Sequence, residues 1–222
     1  PRTSKKSGTI GIARDEAFNF YYADLFSLIE SAGYEITFFS PIHDTLPDAD
    51  GYILGGGYPE YYGRELFQNH AMIEDINRLA INGVPILAEC GGLMYLCRKI
   101  EVLQDFSGLH TGDSFQMTGV LPATCTIPKK RVVTYVTGRT TPSCPISKNV
   151  SLPIRGHAFH YSTVHPHSGI SYAYELDRGF GIDKVHDGIV MQNVIGSYTH
   201  LHPVPSRALL FSYLSACSGD QH

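Results

Sequence analysis

Short apolar strands alternate with amphipathic helices over the first hundred residues, and this alternation restricts the fold more than any other feature. The segments GTIGIAR, YEITFFSP, ADGYILGGG and VPILAE have the apolar and β-branched composition of buried strands. Between them, DLFSLIESAG and residues 64 to 82 place apolar residues at helical spacing and end at Gly33 and Gly83. The pattern predicts a parallel sheet with helices on both faces over residues 8 to 103, with GGLMYLCRKI as the last of these helices.

From about residue 105 to 175 the chain changes to β-rich segments joined by Pro, Gly and Ser. QMTGVLP, VVTYVTGR, IRGHAFHYSTV and ISYAYEL predict a mixed or antiparallel extension, and SRALLFSYLSA predicts a closing helix. No repeat or internal linker divides these segments. We therefore expect an α/β protein with one domain over residues 8–218 and a tail or linker at residues 1–7.

Composition excludes several kinds of partner. A formal net charge of -4 argues against nucleic acid or an anionic membrane, because phosphate binding needs clustered Lys and Arg. No apolar run approaches the ~18 residues of a transmembrane helix. The five irregularly spaced cysteines form no disulfide framework and fit a reducing cytoplasm. The paired histidines in GHAFH and VHPH match no zinc spacing, so we expect no metal site.

The segment ILAECGGLMYLC, residues 86 to 97, places Cys90 at the joint between a strand and a helix. Ligands of α/β sheets sit beyond the carboxyl ends of the strands, and a helix N-terminus favours thiolate over thiol. Cys90 is therefore a candidate nucleophile, and the N–H of Gly91 could face an oxyanion. A buried, inert cysteine in a glycine-rich turn explains this segment equally well. Cys97, two helical turns on, is predicted to lie in the core.

Two further segments place polar groups at the same edge of the sheet. LGGGYPE ends another strand, and its Gly56 and Gly57 could supply the second half of an oxyanion hole. His200, in GSYTHLHP, follows an apolar strand and is the candidate general base for Cys90. His202 lies on the same face if this segment is extended. No GxxxxGK[ST] phosphate loop occurs, so we expect no ATP site in this segment.

Four motifs in order, LGGGYPE, AECGGLMYL, RGHAFHYS and GSYTHLH, carry a resemblance to a known family. The chain resembles, from about residue 8 to 216, the glutamine amidotransferase domain of cobyrinic acid a,c-diamide synthases and of nickel-sirohydrochlorin a,c-diamide synthases. The wider group is the class I amidotransferases. The resemblance implies a flavodoxin-like three-layer sandwich with a mainly parallel sheet, to which the β-rich segments add an extension.

The resemblance also implies a reaction. Cys90 would attack the carboxamide of L-glutamine and form a thioester, while Gly56, Gly57 and Gly91 hold the oxyanion and His200 transfers protons. The ammonia would pass to an ATP- and Mg-dependent synthetase domain, expected to precede this segment in the same polypeptide. That domain would amidate the a and c acetates of a corrinoid or related tetrapyrrole, in cobalamin or coenzyme F430-type biosynthesis. No cofactor is expected in the amidotransferase domain itself.

Three positions bear on whether a third catalytic residue acts beside Cys90 and His200. Many class I enzymes carry H-x-E, whereas this chain has Leu201 and His202 after His200, so His202 either orients His200 or no residue does. Ala158 stands where the family usually has Glu, which matters only if that Glu assists catalysis. Glu89 would oppose thiolate formation at Cys90 by its charge unless it points away across the strand.

Other residues have two interpretations each. Arg155 and His160, on the RGHAFHYS strand, would contact glutamine or the partner domain, or would lie on a solvated strand edge. Phe18, Phe20 and Tyr21 would form a docking face or pack in the core. For function, the alternatives are a domain that serves another synthetase, such as one for cobyric acid or a cell-wall precursor, and a catalytically silent scaffold of the same fold.

Overall fold

The computed structural model describes residues 7–128 and 130–218. The tail or linker expected at residues 1–7 therefore lies outside the described residues, except for Ser7. The backbone N–H of Ser7 donates to the carbonyl of Gly33 at 3.0 Å. Among the residues that the structure describes, no helix is both long enough and apolar enough to cross a membrane.

A ten-stranded sheet forms the centre of the molecule, and half of it is parallel. With elements numbered in chain order, the parallel half contains, from the edge inwards, β3 (Tyr34–Phe39), β1 (Gly8–Ala13), β4 (Gly51–Leu54), β6 (Ile86–Glu89) and β15 (Val194–Ser197). The antiparallel half continues with β14 (His186–Met191), β13 (Ser171–Arg178), β10 (Val132–Thr140), β11 (Pro153–His160) and β16 (His200–Leu201). The predicted β-rich extension thus widens the same sheet.

Helices cover both faces of this sheet, as the alternating sequence predicts. The helices are α1 (Ala23–Ser31), α2 (Gly63–Gln68), α3 (His70–Ile81), α4 (Gly91–Leu96) and α5 (Arg207–Cys217), and a 3₁₀ helix spans Pro59–Tyr62. Apolar residues of α3 and α4 pack on one face and those of α1 and α5 on the other, in two separate core clusters. Strand β6 shows why: Ile86 and Ala88 belong to the first cluster and Leu87 to the second, as side chains alternate along a strand.

Two small sheets complete the architecture. The larger contains β12 (Thr163–Pro166), β9 (Ala123–Ile127), β7 (Lys99–Val102) and β8 (Ser114–Gln116), in that order. The smaller pairs β2 (Phe18–Phe20) with β5 (Gly56–Gly57). The β2–β5 pair holds the glycine segment of LGGGYPE against the N-terminal aromatic segment.

Two helix predictions were wrong. The helix expected over residues 64 to 82 is broken at Asn69, whose side chain accepts the N–H of Met72 and so begins a new helix. The helix expected for GGLMYLCRKI ends at Leu96, since Cys97 is extended, and the following residues form β7. Pairing of β7 with β8 and β9 overrides the helical spacing there.

The large sheet curls so that its far edge returns to the centre. In sheet order β16 is the edge strand and β6 lies six places away, yet the N–H of Leu201 in β16 donates to Glu89 of β6 at 3.1 Å. The Sγ of Cys90 lies 3.5 Å from the carbonyl oxygen of Phe159 in β11. This closure brings the ends of strands from both halves of the sheet to one place.

Candidate active site

Cys90 is held in an unusual backbone conformation directly after β6. Its φ is 50° and its ψ is -99°, a region that residues with a side chain rarely adopt. The Cys90 N–H donates to the carbonyl of Ser197 at 2.7 Å, and its own carbonyl accepts the N–H of Met94. This sharp, strained turn between strand and helix is the geometry of a nucleophile elbow.

The glycines behind Cys90 allow α4 to pack closely on the sheet. A Cβ on Gly92 would lie 2.1 Å from the carbonyl oxygen of Leu54, and one on Gly91 would lie 2.9 Å from the nitrogen of Gly57. The main role of these two glycines is therefore to allow close backbone packing of α4 against β4 and β5.

The thiol of Cys90 is a neutral group in this setting. Its pKa is raised to about 12, chiefly by burial and also by the negative charge of Glu60, while the backbone N–H of Gly91 acts to lower it. The expectation that the helix N-terminus favours thiolate is therefore wrong, because desolvation outweighs the dipole of a helix of six residues. A base must remove the proton as Cys90 reacts.

His200 is placed in β16 by a buried carboxylate. Asp187 of β14 accepts the N–H groups of Tyr198 and Thr199 at 3.0 and 2.9 Å and the hydroxyl of Thr199 at 2.6 Å. These bonds fix the turn between β15 and β16. The ring of His200 then packs on Gly56, where a Cβ would lie 2.4 Å from its Cε1 atom. The pKa of His200 is lowered to about 3, chiefly by burial and also by His157 and His160; a neutral imidazole is thus available as a base.

Cys90 and His200 line one cleft of about 300 Å³. The cleft is lined by Phe20, Gly57, Tyr58, Cys90, Val133, His157, Phe159 and His200. The ring of His157 stacks on that of His200 at 4.8 Å, and its Nδ1 atom lies 2.7 Å from the hydroxyl of Tyr22. Phe20 is 52% exposed at the mouth and contacts His200 edge-on. The cleft has a mainly apolar and aromatic wall with a thiol and an imidazole inside it.

The three glycines predicted for an oxyanion hole have different positions. Gly57 lines the cleft beside Cys90, and the N–H of Gly91 faces the Cys90 thiol. Gly56 instead makes room for the ring of His200. The arrangement places two backbone segments next to the sulfur, and the assignment of Gly56, Gly57 and Gly91 to an oxyanion hole stays a prediction.

Glu89, to which the motifs assigned no catalytic role, faces His200. Its Oε2 lies 3.9 Å from Nδ1 of His200, and both side chains are buried, with exposures of 13% and 4%. The pKa of Glu89 is raised to about 8, because the effect of burial outweighs that of the hydrogen bond from Leu201 N–H, which lowers it. Glu89 therefore points towards His200, although its charge still contributes to the raised pKa of Cys90. A carboxylate ending an otherwise apolar strand, beside a histidine without H-x-E, is the sequence signal that could have found it.

The other candidate residues lie outside the Cys90 cleft. The Nδ1 atom of His202 accepts the N–H of Val204 at 3.3 Å, and its ring packs on Tyr22 at 4.7 Å. Arg155 is exposed and, with His202, lines a neighbouring groove of about 580 Å³. His160 is buried, stacks on Tyr198 at 3.7 Å and bonds through Nδ1 to the carbonyl of Ser162 at 2.8 Å. The solvated strand edge considered for His160 is therefore wrong.

Several remaining candidates belong to the core. Ala158 is fully buried in the cluster of α1 and α5, between His157 and Phe159, whose side chains face the cleft. Phe18 is buried, as core packing predicts, whereas Phe20 is exposed. Cys97 lies in the core as predicted, and Cys125, Cys144 and Cys217 are also buried free thiols. Over residues 7–128 and 130–218, no three His, Cys, Asp or Glu side chains come together as a group that could hold a metal ion.

Comparisons with known proteins show the family to which the chain belongs. The family model for the CobB/CobQ-like glutamine amidotransferase domain matches residues 9–207 of the sequence. A cobyrinate a,c-diamide synthase of Methanosarcina barkeri is 41% identical over 214 residues, which are 93% of this chain and 43% of that protein. One of Methanosarcina acetivorans is 43% identical over the same shares. The chain thus spans about 43% of the length of these curated relatives.

Solved structures agree on the fold. The structure of PurLQS from Thermotoga maritima matches with a TM-score of 0.66 at 14% identity, covering 93% of this chain and 97% of that one. A structure described as a glutamine amidotransferase matches with a TM-score of 0.58 at 14% identity, covering 95% and 98%. The expected flavodoxin-like α/β fold of class I amidotransferases is confirmed. With its family model matched from residue 9 to 207, this chain belongs to the CobB/CobQ-like glutamine amidotransferase domains.

Proposed function

We propose that this domain hydrolyses L-glutamine through a thioester on Cys90 and supplies the ammonia to a synthetase. The observation that carries the proposal is that Cys90, directly after β6, and His200, in β16, line one cleft. A buried neutral thiol and a buried neutral imidazole suit a mechanism in which the base takes the proton as the sulfur attacks. The strained backbone of Cys90 holds the sulfur at the turn for that attack.

The proposed steps conserve atoms and protons. His200 takes the proton of the Cys90 thiol, the sulfur bonds to the side-chain carbonyl carbon of glutamine, and the backbone N–H groups of Gly57 and Gly91 face the oxyanion. When the C–N bond breaks, the same proton passes from His200 to the departing nitrogen, which leaves as ammonia. His200 then takes a proton from water, the hydroxide adds to the thioester, and glutamate leaves as the proton returns to sulfur.

The acceptor is proposed from the relatives. The similar proteins of Methanosarcina barkeri and Methanosarcina acetivorans are named cobyrinate a,c-diamide synthases, and this chain matches less than half of each. We infer that the ammonia goes to an ATP- and Mg-dependent synthetase region of that kind, which amidates the a and c acetates of a corrinoid or related tetrapyrrole. Five free thiols suit a reducing compartment, so we place the reaction in the cytoplasm.

The test is covalent labelling with 6-diazo-5-oxo-norleucine, a glutamine analogue that alkylates the nucleophile of glutaminases. We expect one adduct by intact mass, at Cys90 by peptide mapping, and none in Cys90→Ala. Cys144→Ala is the matched control, because Cys144 is also a buried free thiol but lies outside the cleft. This variant should label like the unchanged chain.

If the chain alone gives no adduct, labelling is repeated with the synthetase region of the Methanosarcina barkeri relative added as a separate protein. An adduct that requires this addition supports a glutaminase activated by its partner. No adduct under either condition contradicts the proposed function and supports the alternative of a catalytically silent scaffold.

A further inference from the structure

The carboxyl group of Glu89 connects the two chain segments that carry Cys90 and His200. Its Oε1 accepts the N–H of Leu201 at 3.1 Å, and its Oε2 lies 3.9 Å from Nδ1 of His200. Glu89 immediately precedes Cys90, and Leu201 immediately follows His200. The side chain of Glu89 therefore sets the position of the β16 backbone and also faces the Nδ1 atom of His200.

Other polar groups near His200 are engaged elsewhere. Both carboxylate oxygens of Asp187 accept hydrogen bonds from the turn at Tyr198 and Thr199. The Nδ1 atom of His202 accepts the N–H of Val204. His157 stacks flat against His200, with an interplanar angle of 13°, so its ring edge faces away from the ring nitrogens of His200. Its Nδ1 pairs with the hydroxyl of Tyr22.

We propose that Glu89 is the positioning residue for His200, taking the part that the Glu of H-x-E has in other class I amidotransferases. This inference rests on the proposed function of Cys90 and His200. In its ionised form, which prevails above its raised pKa of about 8, the Glu89 carboxylate draws the Nδ1–H of His200 towards itself, which leaves Nε2 without a proton and able to accept the one from Cys90. When His200 becomes an imidazolium during the reaction, the carboxylate stabilises its positive charge.

The hydrogen bond to Leu201 makes Glu89→Gln an informative variant. In this variant the side-chain amide oxygen must accept the N–H of Leu201, because an amide NH₂ group cannot. The NH₂ group then faces Nδ1 of His200, which must become an acceptor and move its proton to Nε2. In that tautomer His200 cannot take the proton from Cys90. The fold is retained, since the side-chain volume and the bond to Leu201 are both kept.

The first measurement is the tautomer of His200 by ¹⁵N NMR of histidine-labelled protein, which needs no turnover. Above pH 8, where Glu89 is ionised, we expect the Nδ1–H form in the unchanged chain and the Nε2–H form in Glu89→Gln. Glu175→Gln is the matched control, because Glu175 is exposed on β13 of the same sheet. It should leave the spectrum of His200 unchanged. The same tautomer in the unchanged chain and in Glu89→Gln would overturn the proposal.

The second measurement is glutamine hydrolysis, with the synthetase region present if labelling requires it. Glu89→Gln should lower kcat by about 10²-fold or more and leave KM for glutamine within about threefold, because proton transfer and not binding is impaired. Glu89→Asp, which keeps the charge, should recover part of kcat. Equal kcat in Glu89→Gln and the unchanged chain would overturn the positioning role. Absence of labelling at Cys90 would instead count against the proposed function, while the tautomer still tests Glu89.

Discussion

At the scale of single residues, Glu60 has a buried carboxyl group that the proposed reaction does not use. Burial raises its pKa from 4.5 to about 7, and its Oε2 has no hydrogen-bond partner among the described residues. In the unfolded chain this group ionises near pH 4.5, whereas in the folded protein it holds its proton to about pH 7. The folded state thus binds more protons between these values, and this group makes stability fall as the pH rises through that window.

Glu60→Gln removes this pH-dependent penalty. The stability of the variant relative to the unchanged chain should increase by about 1–3 kcal/mol between pH 4.5 and pH 8. Urea unfolding followed by far-UV circular dichroism at both pH values measures the difference. Glu65→Gln, at an exposed position in α2, is the control and should show no such gain. If the difference in unfolding free energy between Glu60→Gln and the unchanged chain is the same at both pH values, the raised pKa of Glu60 is contradicted.

Gly92 provides a purely steric prediction. A Cβ at this position would lie 2.1 Å from the carbonyl oxygen of Leu54, so Gly92→Ala should push α4 away from β4 and cost about 2–4 kcal/mol of unfolding free energy. Gly119→Ala is the comparison. Gly119 has a φ of +74° but open space around it, so its cost should be only about 1 kcal/mol. Equal losses in the two variants would contradict the steric argument.

At the scale of elements, tertiary contacts explain where sequence patterns mislead. The spacing of apolar residues correctly predicts that helices flank a parallel sheet in the first half. It cannot predict the break at Asn69, because the side chain there also donates to the carbonyls of Pro41 and Asp44, at 3.0 and 2.9 Å. Those partners lie in a distant loop. The two hydrogen bonds from Nδ2 of Asn69 and the cap of α3 together stabilise the broken helix more than one continuous helix would be stabilised.

Asn69 should therefore matter for stability at the α2–α3 break. Asn69→Ala removes the cap to Met72 and both Nδ2 bonds, and should cost about 1–3 kcal/mol. Asn69→Asp keeps a capping oxygen but loses the donor, so its loss should be smaller. Thermal or urea unfolding of the two variants shows which of them loses more stability. If Asn69→Asp is as unstable as Asn69→Ala, the capping hydrogen bond to Met72 contributes little to stability.

At the scale of the whole molecule, the site exists only because the sheet closes on itself. Motif order predicts that Cys90 and His200 act together, and both do line one cleft. It does not predict Glu89, since contact between Glu89 and Leu201 requires strands six places apart in the sheet to meet. The same long-range closure moves His202 to the neighbouring groove. Cys90 and His200, which local motifs singled out, therefore lie at one cleft, while their mutual orientation depends on the curl of the sheet.

The free cysteines allow a test of whether this closed sheet unfolds as one unit. Cys97 and Cys125 lie in the core cluster on one face, and Cys144 and Cys217 lie in the cluster on the other. All four side chains are buried, and the two clusters share the strands of one sheet, because neighbouring residues of β6 belong to different clusters. Neither face can open without disrupting these shared strands, so both should become exposed together.

Pulsed alkylation with iodoacetamide across a urea series, resolved by peptide mass spectrometry, measures each thiol separately. We expect Cys97, Cys125, Cys144 and Cys217 to become reactive at one urea midpoint, which coincides with the loss of far-UV circular dichroism. The alternative is that Cys144 and Cys217 react at a lower midpoint while much of the dichroism remains. That result would mean that the layer of α1 and α5 opens independently, and that Cys90 and His200 could be separated without unfolding the parallel half of the sheet.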